Sequence, residues 1–231
     1  MKKLFSKKLI IFTSVFTVLG FLSLKVPFSG IYGSSQSFTL FDFLGPSSGL
    51  LIGPIFGGLA VFLVKLISVF INHQGFDFLT IARFFPMVLA AVYLGTKSRK
   101  NAFIPALCIL LFIIHPVGRQ AWYYSMYWLI PVLAVFKKER LILNALGATF
   151  TAHAIGSTIF LYAFGYTPAF WTALIPIVAY ERGVFALGIW ASYLILNNVL
   201  NLFTLKFNWT WLKIAVNENY ILGKKFIKKY S

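Results

Sequence analysis

Apolar residues run along this chain in long blocks, interrupted by short clusters rich in lysine, arginine, glycine and proline. A helix that crosses a bilayer needs about 20 mostly apolar residues, within a range of about 17–25. On that measure the pattern predicts eight spans, over residues 9–26, 39–52, 54–71, 78–94, 101–114, 121–136, 141–164 and 176–207. The block from Phe38 to Ile71 is too long for one span, and its break is expected at Gly53-Pro54. Proline removes a backbone donor and disfavours helical geometry in the residue before it. Residues 27–37, rich in Pro, Gly and Ser, read as a loop, and residues 170–174 as an interfacial lead-in to Pro176.

Composition fits this pattern. Of 231 residues, 59% are hydrophobic and only 11% charged, whereas a soluble domain is about 45–50% apolar and about 25% charged. The expected fold is all-α: a polytopic transmembrane helical bundle of about six to eight spans in a cell membrane. It forms one integral membrane domain over 1–231, with a basic N-terminus (1–8), a bundle (9–207) and a basic tail (208–231). The first block follows Lys2, Lys3, Lys7 and Lys8 as a signal peptide would, but no small-x-small cleavage pattern follows, so it reads as an uncleaved first span.

The formal net charge of +16 changes the picture through its distribution. Lys97, Arg99 and Lys100 form a second basic group, Lys137, Lys138 and Arg140 a third, and Lys206, Lys213, Lys224, Lys225, Lys228 and Lys229 a fourth. Cytoplasmic loops collect Lys and Arg, and eight crossings put all four groups and both termini in the cytoplasm. Nucleic acid is not an expected partner, because no binding motif accompanies the charge.

Ionisable residues within spans are costly and are functional suspects by default. Asp42, Lys65, Arg83, His115, Arg119, Glu181 and Arg182 all fall toward the outer half of this topology, with His153 near mid-depth. A cavity opening outward would gather them as a substrate-binding set. Structural pairing is the competing reading: Glu181 and Arg182, adjacent on one helix, diverge and are free to neutralise Lys65 or Asp42 across helices. Lys65, Arg83, Arg119 and Arg182 against Asp42 and Glu181 leave two positive charges, which an anionic ligand would relieve. Trp122 and Tyr123 open an aromatic run to Trp128, read either as an interfacial belt or as a stacking wall for a flat ligand. Thr149, His153 and Ser157 make one polar stripe. Asn197, Asn198 and Asn201 are expected to join helices. Gly45, Gly49, Gly53 and Gly57, four residues apart, are expected to bring helices into close contact.

The chemistry of catalysis is sparse. Gly95-Thr96-Lys97-Ser98 lacks the upstream glycine of an ATPase phosphate loop. Three scattered histidines and the single Cys108 supply no metal-ligand spacing. No enzyme activity, cofactor or metal is expected.

The stretch Phe38-Thr39-Leu40-Phe41-Asp42-Phe43-Leu44-Gly45-Pro46, through Gly53-Pro54-Ile55-Phe56-Gly57-Gly58, resembles the substrate-binding S components of energy-coupling factor transporters. Those proteins often carry Gly-Pro-x-x-Gly between their second and third spans, matched here by Gly53 to Gly57. The resemblance covers roughly residues 9–95. It implies capture of a vitamin-like or metal-ion nutrient on the outer face, with release driven by a separate T component and two ATPases. The chain differs in its span count, eight against about six, and in having Thr13 and Thr17 where the family carries Ala-x-x-x-Ala. Other readings stay open: a stand-alone ion- or proton-coupled transporter, a membrane enzyme acting on lipid or peptide, and a ligand-free scaffold.

Overall fold

The computed structural model describes residues 7–30 and 37–222. Lys2, Lys3, Lys224, Lys225, Lys228 and Lys229 lie outside these described residues. Among the described residues ten α-helices follow in chain order: α1 (Lys7–Ser23), α2 (Phe41–Ile52), α3 (Pro54–Ile71), α4 (Phe78–Ala82), α5 (Phe85–Gly95), α6 (Phe103–Ile114), α7 (Pro116–Gln120), α8 (Leu129–Ala134), α9 (Leu141–Ala163) and α10 (Pro168–Lys206). Three stretches of the described residues are long and apolar enough to cross a membrane: Pro54–Ile71, Phe78–Gly95 taken through the turn between α4 and α5, and Pro168–Lys206.

The break between α2 and α3 falls at Gly53, which has φ 84° and ψ 165° and precedes Pro54 at the start of α3. That backbone region is open essentially to glycine alone. Gly53 therefore turns the chain and packs nothing, since a Cβ there would meet no atom within 4 Å. This corrects the expectation that all four glycines serve helix contact. Gly49 and Gly57 do serve it. A Cβ on Gly57 would lie 2.6 Å from the Gly49 nitrogen, and one on Gly49 would collide with the Ala91 carbonyl. Gly95, which the spacing does not reveal, faces Gly49 in the same way. Helices α2, α3 and α5 thus meet backbone to backbone, the contact that small residues allow where lipid supplies no hydrophobic drive between helices. A Cβ on Gly45 would meet only side chains, Phe41 at 3.2 Å and Met87 at 3.3 Å, a looser contact.

Four expected boundaries differ. Of the segment expected as a loop at 27–37, the described residues 27–30 and 37 belong to a short antiparallel strand pair, hereafter the hairpin: β1 (Pro27–Gly30) with β2 (Ser37–Thr39). The 78–94 span is divided at Arg83-Phe84, where Pro86 starts a new helix. Residues 121–136 are 3-10 helix over Trp122–Trp128 before α8 begins. The expected lead-in at 170–174 lies inside α10, which passes through Pro176 without a break. Tyr127 donates to the Ile175 carbonyl beside that proline (3.0 Å), which ties α10 to the 3-10 run at this level.

The described basic groups share one end of the molecule. The start of α1, the α2–α3 break, the start of α9 and the segment after α10 form one apolar cluster that includes Leu9, Ile52, Phe56, Leu141 and Leu212. Arg99 lies over the Phe136 ring at 5.1 Å, and Lys138 Nζ donates to the Tyr93 carbonyl at 2.9 Å. Asn197 and Asn198 bind the segment after α10, through the backbones of Asn217, Tyr220 and Leu222, and so tie it to the bundle.

Candidate functional site

At the opposite end, the close of α1, the hairpin, the start of α2, the close of α3 and the α4–α5 turn surround a cavity of about 490 Å³, with α9 and α10 as its far wall. Six of the ten sequence-predicted substrate-binding residues line it: Asp42, Lys65, Arg83, His153, Glu181 and Arg182. Lys25 joins them, so four cationic side chains face two carboxylates, a surplus of two positive charges. Burial and low dielectric strengthen the pull of such a surplus on an anion.

Arg182 is the most deeply placed charge, only 5% exposed. Contrary to the divergence expected of helical neighbours, its Nη2 donates to Glu181 Oε2 at 3.2 Å. Its guanidinium lies 4.4 Å from the Phe185 ring and 5.1 Å from Phe38. Cation–π contact of this kind helps offset the cost of removing a cation from water. Phe28 and Phe38 of the hairpin and Phe43 of α2 each meet Phe185 edge-on, so the hairpin is anchored over the arginine. Asp42 reinforces that anchor by accepting from Thr39 twice, from its backbone N–H at 2.6 Å and its hydroxyl at 3.1 Å.

Three buried N–H groups around this cavity have no acceptor among the described residues: Arg182 Nε, Arg83 Nε and Trp171 Nε1. Native interiors leave few such donors, and each one calls for an explanation. Arg83 sits over the rings of Phe160 (5.8 Å) and Phe164 (6.0 Å). Lys65 has no carboxylate or hydrogen-bond partner among the described residues; its ammonium lies 5.5 Å from the Phe41 ring. Lys25 is exposed and donates to Asn72 Oδ1 at 3.1 Å.

His153 is held from both sides. Trp128 Nε1 donates to its Nδ1 at 3.1 Å, and Tyr124 Oη lies 2.9 Å from its Nε2. An indole N–H only donates, so Nδ1 accepts and the neutral ring carries its proton on Nε2. Tyr124 then accepts from Nε2 and has its own proton for Ser157 Oγ at 3.2 Å. The polar stripe Thr149, His153 and Ser157 therefore lines the cavity wall as a largely saturated network, with Thr149 Oγ1 3.5 Å from Arg182 Nη1.

Four predicted residues stand elsewhere. His115 accepts from the Val117 N–H through Nδ1 at 3.3 Å, capping α7. Arg119, at the exposed end of that short helix, does not line the cavity. Trp122 and Tyr123 point outward, Tyr123 bonding Thr172 at 2.7 Å. The 3-10 geometry turns Tyr124 and Trp128 of the same run inward to His153. The expected ligand wall thus passes from Trp122 and Tyr123 at the exposed start of the run to Tyr124, with Trp171 and Phe170 of α10 beside it. The aromatic richness of the run signalled Tyr124. No sequence signal marked Trp171 or Lys25. Among the described residues no group of three or more His, Cys, Asp or Glu side chains is placed to hold a metal ion.

No protein-family model matches the chain, and no solved structure does. The chain is 38% identical over 112 residues to an uncharacterized protein of Methanocaldococcus jannaschii, an alignment that spans 46% of this chain and 37% of that protein.

Proposed function

We propose that this chain is the substrate-capturing membrane subunit of an uptake system for a small anionic molecule, energised by separate ATPase partners. The observation that carries the reading is the cavity itself. It has a two-charge positive surplus and three buried donors without acceptors, and it lies at the end of the bundle away from the described basic groups. With those groups in the cytoplasm, the chain crosses the membrane eight times, both termini are cytoplasmic and the cavity faces outward. The Gly53-Pro54-Ile55-Phe56-Gly57 stretch supports kinship with the S components of energy-coupling factor transporters. A chain without an ATPase phosphate loop then needs a T component and ATPases to complete the cycle. Native mass spectrometry of the protein from its own host in mild detergent tests this. A retained small anion, or copurifying ATPases, is the expected result. Finding neither across several detergents, or liposome uptake driven by an ion gradient without ATP, contradicts it.

A further inference from the structure

Resting on the cavity as a capture site, we infer that its ligand is an aromatic carboxylate bearing a second hydrogen-bond acceptor. Arg182 and Arg83 read the carboxylate, and Trp171 reads the acceptor.

The charge count points to one negative charge. Of the two surplus charges, the one on Lys25 is exposed, where solvent and salt screen it; the inner set is Lys65, Arg83 and Arg182 against Asp42 and Glu181, a surplus of one. A monoanion balances it; a dianionic phosphate would overshoot and meet Glu181 at Arg182.

The geometry of the arginines points to a carboxylate. Both guanidiniums lie over phenyl rings, Arg182 with Phe185 and Phe38, Arg83 with Phe160 and Phe164. Both have a buried Nε–H without an acceptor. With phenyl rings against the guanidinium, a ligand engages the donors at its edge, and in-plane binding is how a planar carboxylate meets a guanidinium. A neutral acceptor would satisfy an N–H and leave the charge.

The remaining space points to a flat body. A lone carboxylate would occupy a small part of about 490 Å³, and the half-buried rings of Phe160 and Phe170 line what remains, with Trp171 packed at the wall. Trp171 is 1% exposed, and its Nε1–H has no acceptor among the described residues. An apolar ring without a polar atom would leave that donor unsatisfied, which costs binding.

The test is thermal unfolding of the full chain in detergent with benzoate, indole-3-acetate and quinoline-2-carboxylate. Each acid is paired with its neutral amide, beside acetate and inorganic phosphate. A bound ligand raises the melting temperature by mass action. The expected result is that quinoline-2-carboxylate, which carries the extra acceptor, stabilises most, while its amide, acetate and phosphate do not. Arg182→Gln and Arg83→Gln each weaken that effect by about 10- to 100-fold in concentration, the scale of a charged hydrogen bond. Should Arg182→Gln fail to fold, Arg83→Gln decides, because its side chain has no hydrogen-bond partner among the described residues to lose. An amide equal to its acid, a response to acetate or phosphate alone, or no response to any acid overturns the inference. Retention of a non-aromatic small anion together with ATPase partners would overturn it while leaving the capture reading intact.

Discussion

At the residue scale the costliest feature is Arg182, a buried cation facing a single carboxylate. Glu181→Gln removes that counter-charge and leaves the guanidinium uncompensated, so stability falls by up to about 3 kcal/mol, read as a lower midpoint of thermal unfolding in detergent. Trp128→Phe is milder. It leaves His153 Nδ1 without a donor, at a cost of about 1–3 kcal/mol, and releases the imidazole to exchange tautomers, which nitrogen NMR detects. Two groups outside the spans share one pH sign for different reasons, a carboxylate favoured by its partners and an ammonium disfavoured by burial. Hydrogen bonds from Thr80, backbone first and then side chain, with Arg83 nearby, hold the Asp77 carboxyl below its usual value at the start of α4. Its stabilising contribution is complete above the unfolded carboxyl range and fades as pH falls through the lowered value. Burial pulls the Lys138 ammonium from 10.5 down to about 7, despite acceptors at Tyr93 O and Asn144 Oδ1. Between those values the unfolded chain binds more protons, so this contribution to stability rises as pH rises from about 7 toward 10.5. Unfolding midpoints of wild type and Lys138→Met across that window should converge at high pH and separate at low pH.

At the element scale the α2–α3–α5 contact organises the bundle. Gly49→Ala drives a methyl group into the Ala91 carbonyl, and rigid backbone cannot yield as a side chain would. A loss of about 3 kcal/mol is expected, the upper end for overpacking. Gly53→Ala meets no atom but forces alanine into a glycine-only conformation, at about 1–3 kcal/mol. Gly58→Ala, whose methyl group would lie 3.2 Å from a Val92 side-chain carbon, serves as the mild control. The Gly53-Pro54 break was legible because both residues carry their backbone restriction in their own chemistry. Gly95 was not legible, because its partner Gly49 is 46 positions away in sequence and no local spacing joins them. The hairpin and the 3-10 run were hidden for a related reason: tertiary anchors, Phe38 on Phe185 and Trp128 on His153, select those conformations.

For the whole molecule, the separation of charge was the most legible feature. Lysine runs and the buried ionisable set sit in different blocks of the chain, and alternation of helices places them at opposite ends. Membership of the site was less legible. Arg119 has the right chemistry but occupies the exposed end of a five-residue helix, whereas Lys25, just past the end of α1, lines the cavity beside Asn72. The Glu181–Arg182 pair was misjudged because ideal helical divergence ignores the reach of long side chains. The account depends on the cavity opening on the face opposite the basic groups. In a Cys108→Ser background, a membrane-impermeant maleimide applied to intact cells should label the Asn72→Cys variant at the cavity rim and spare the Ser98→Cys variant among the lysines. The reverse pattern, or labelling of both from outside, would contradict it.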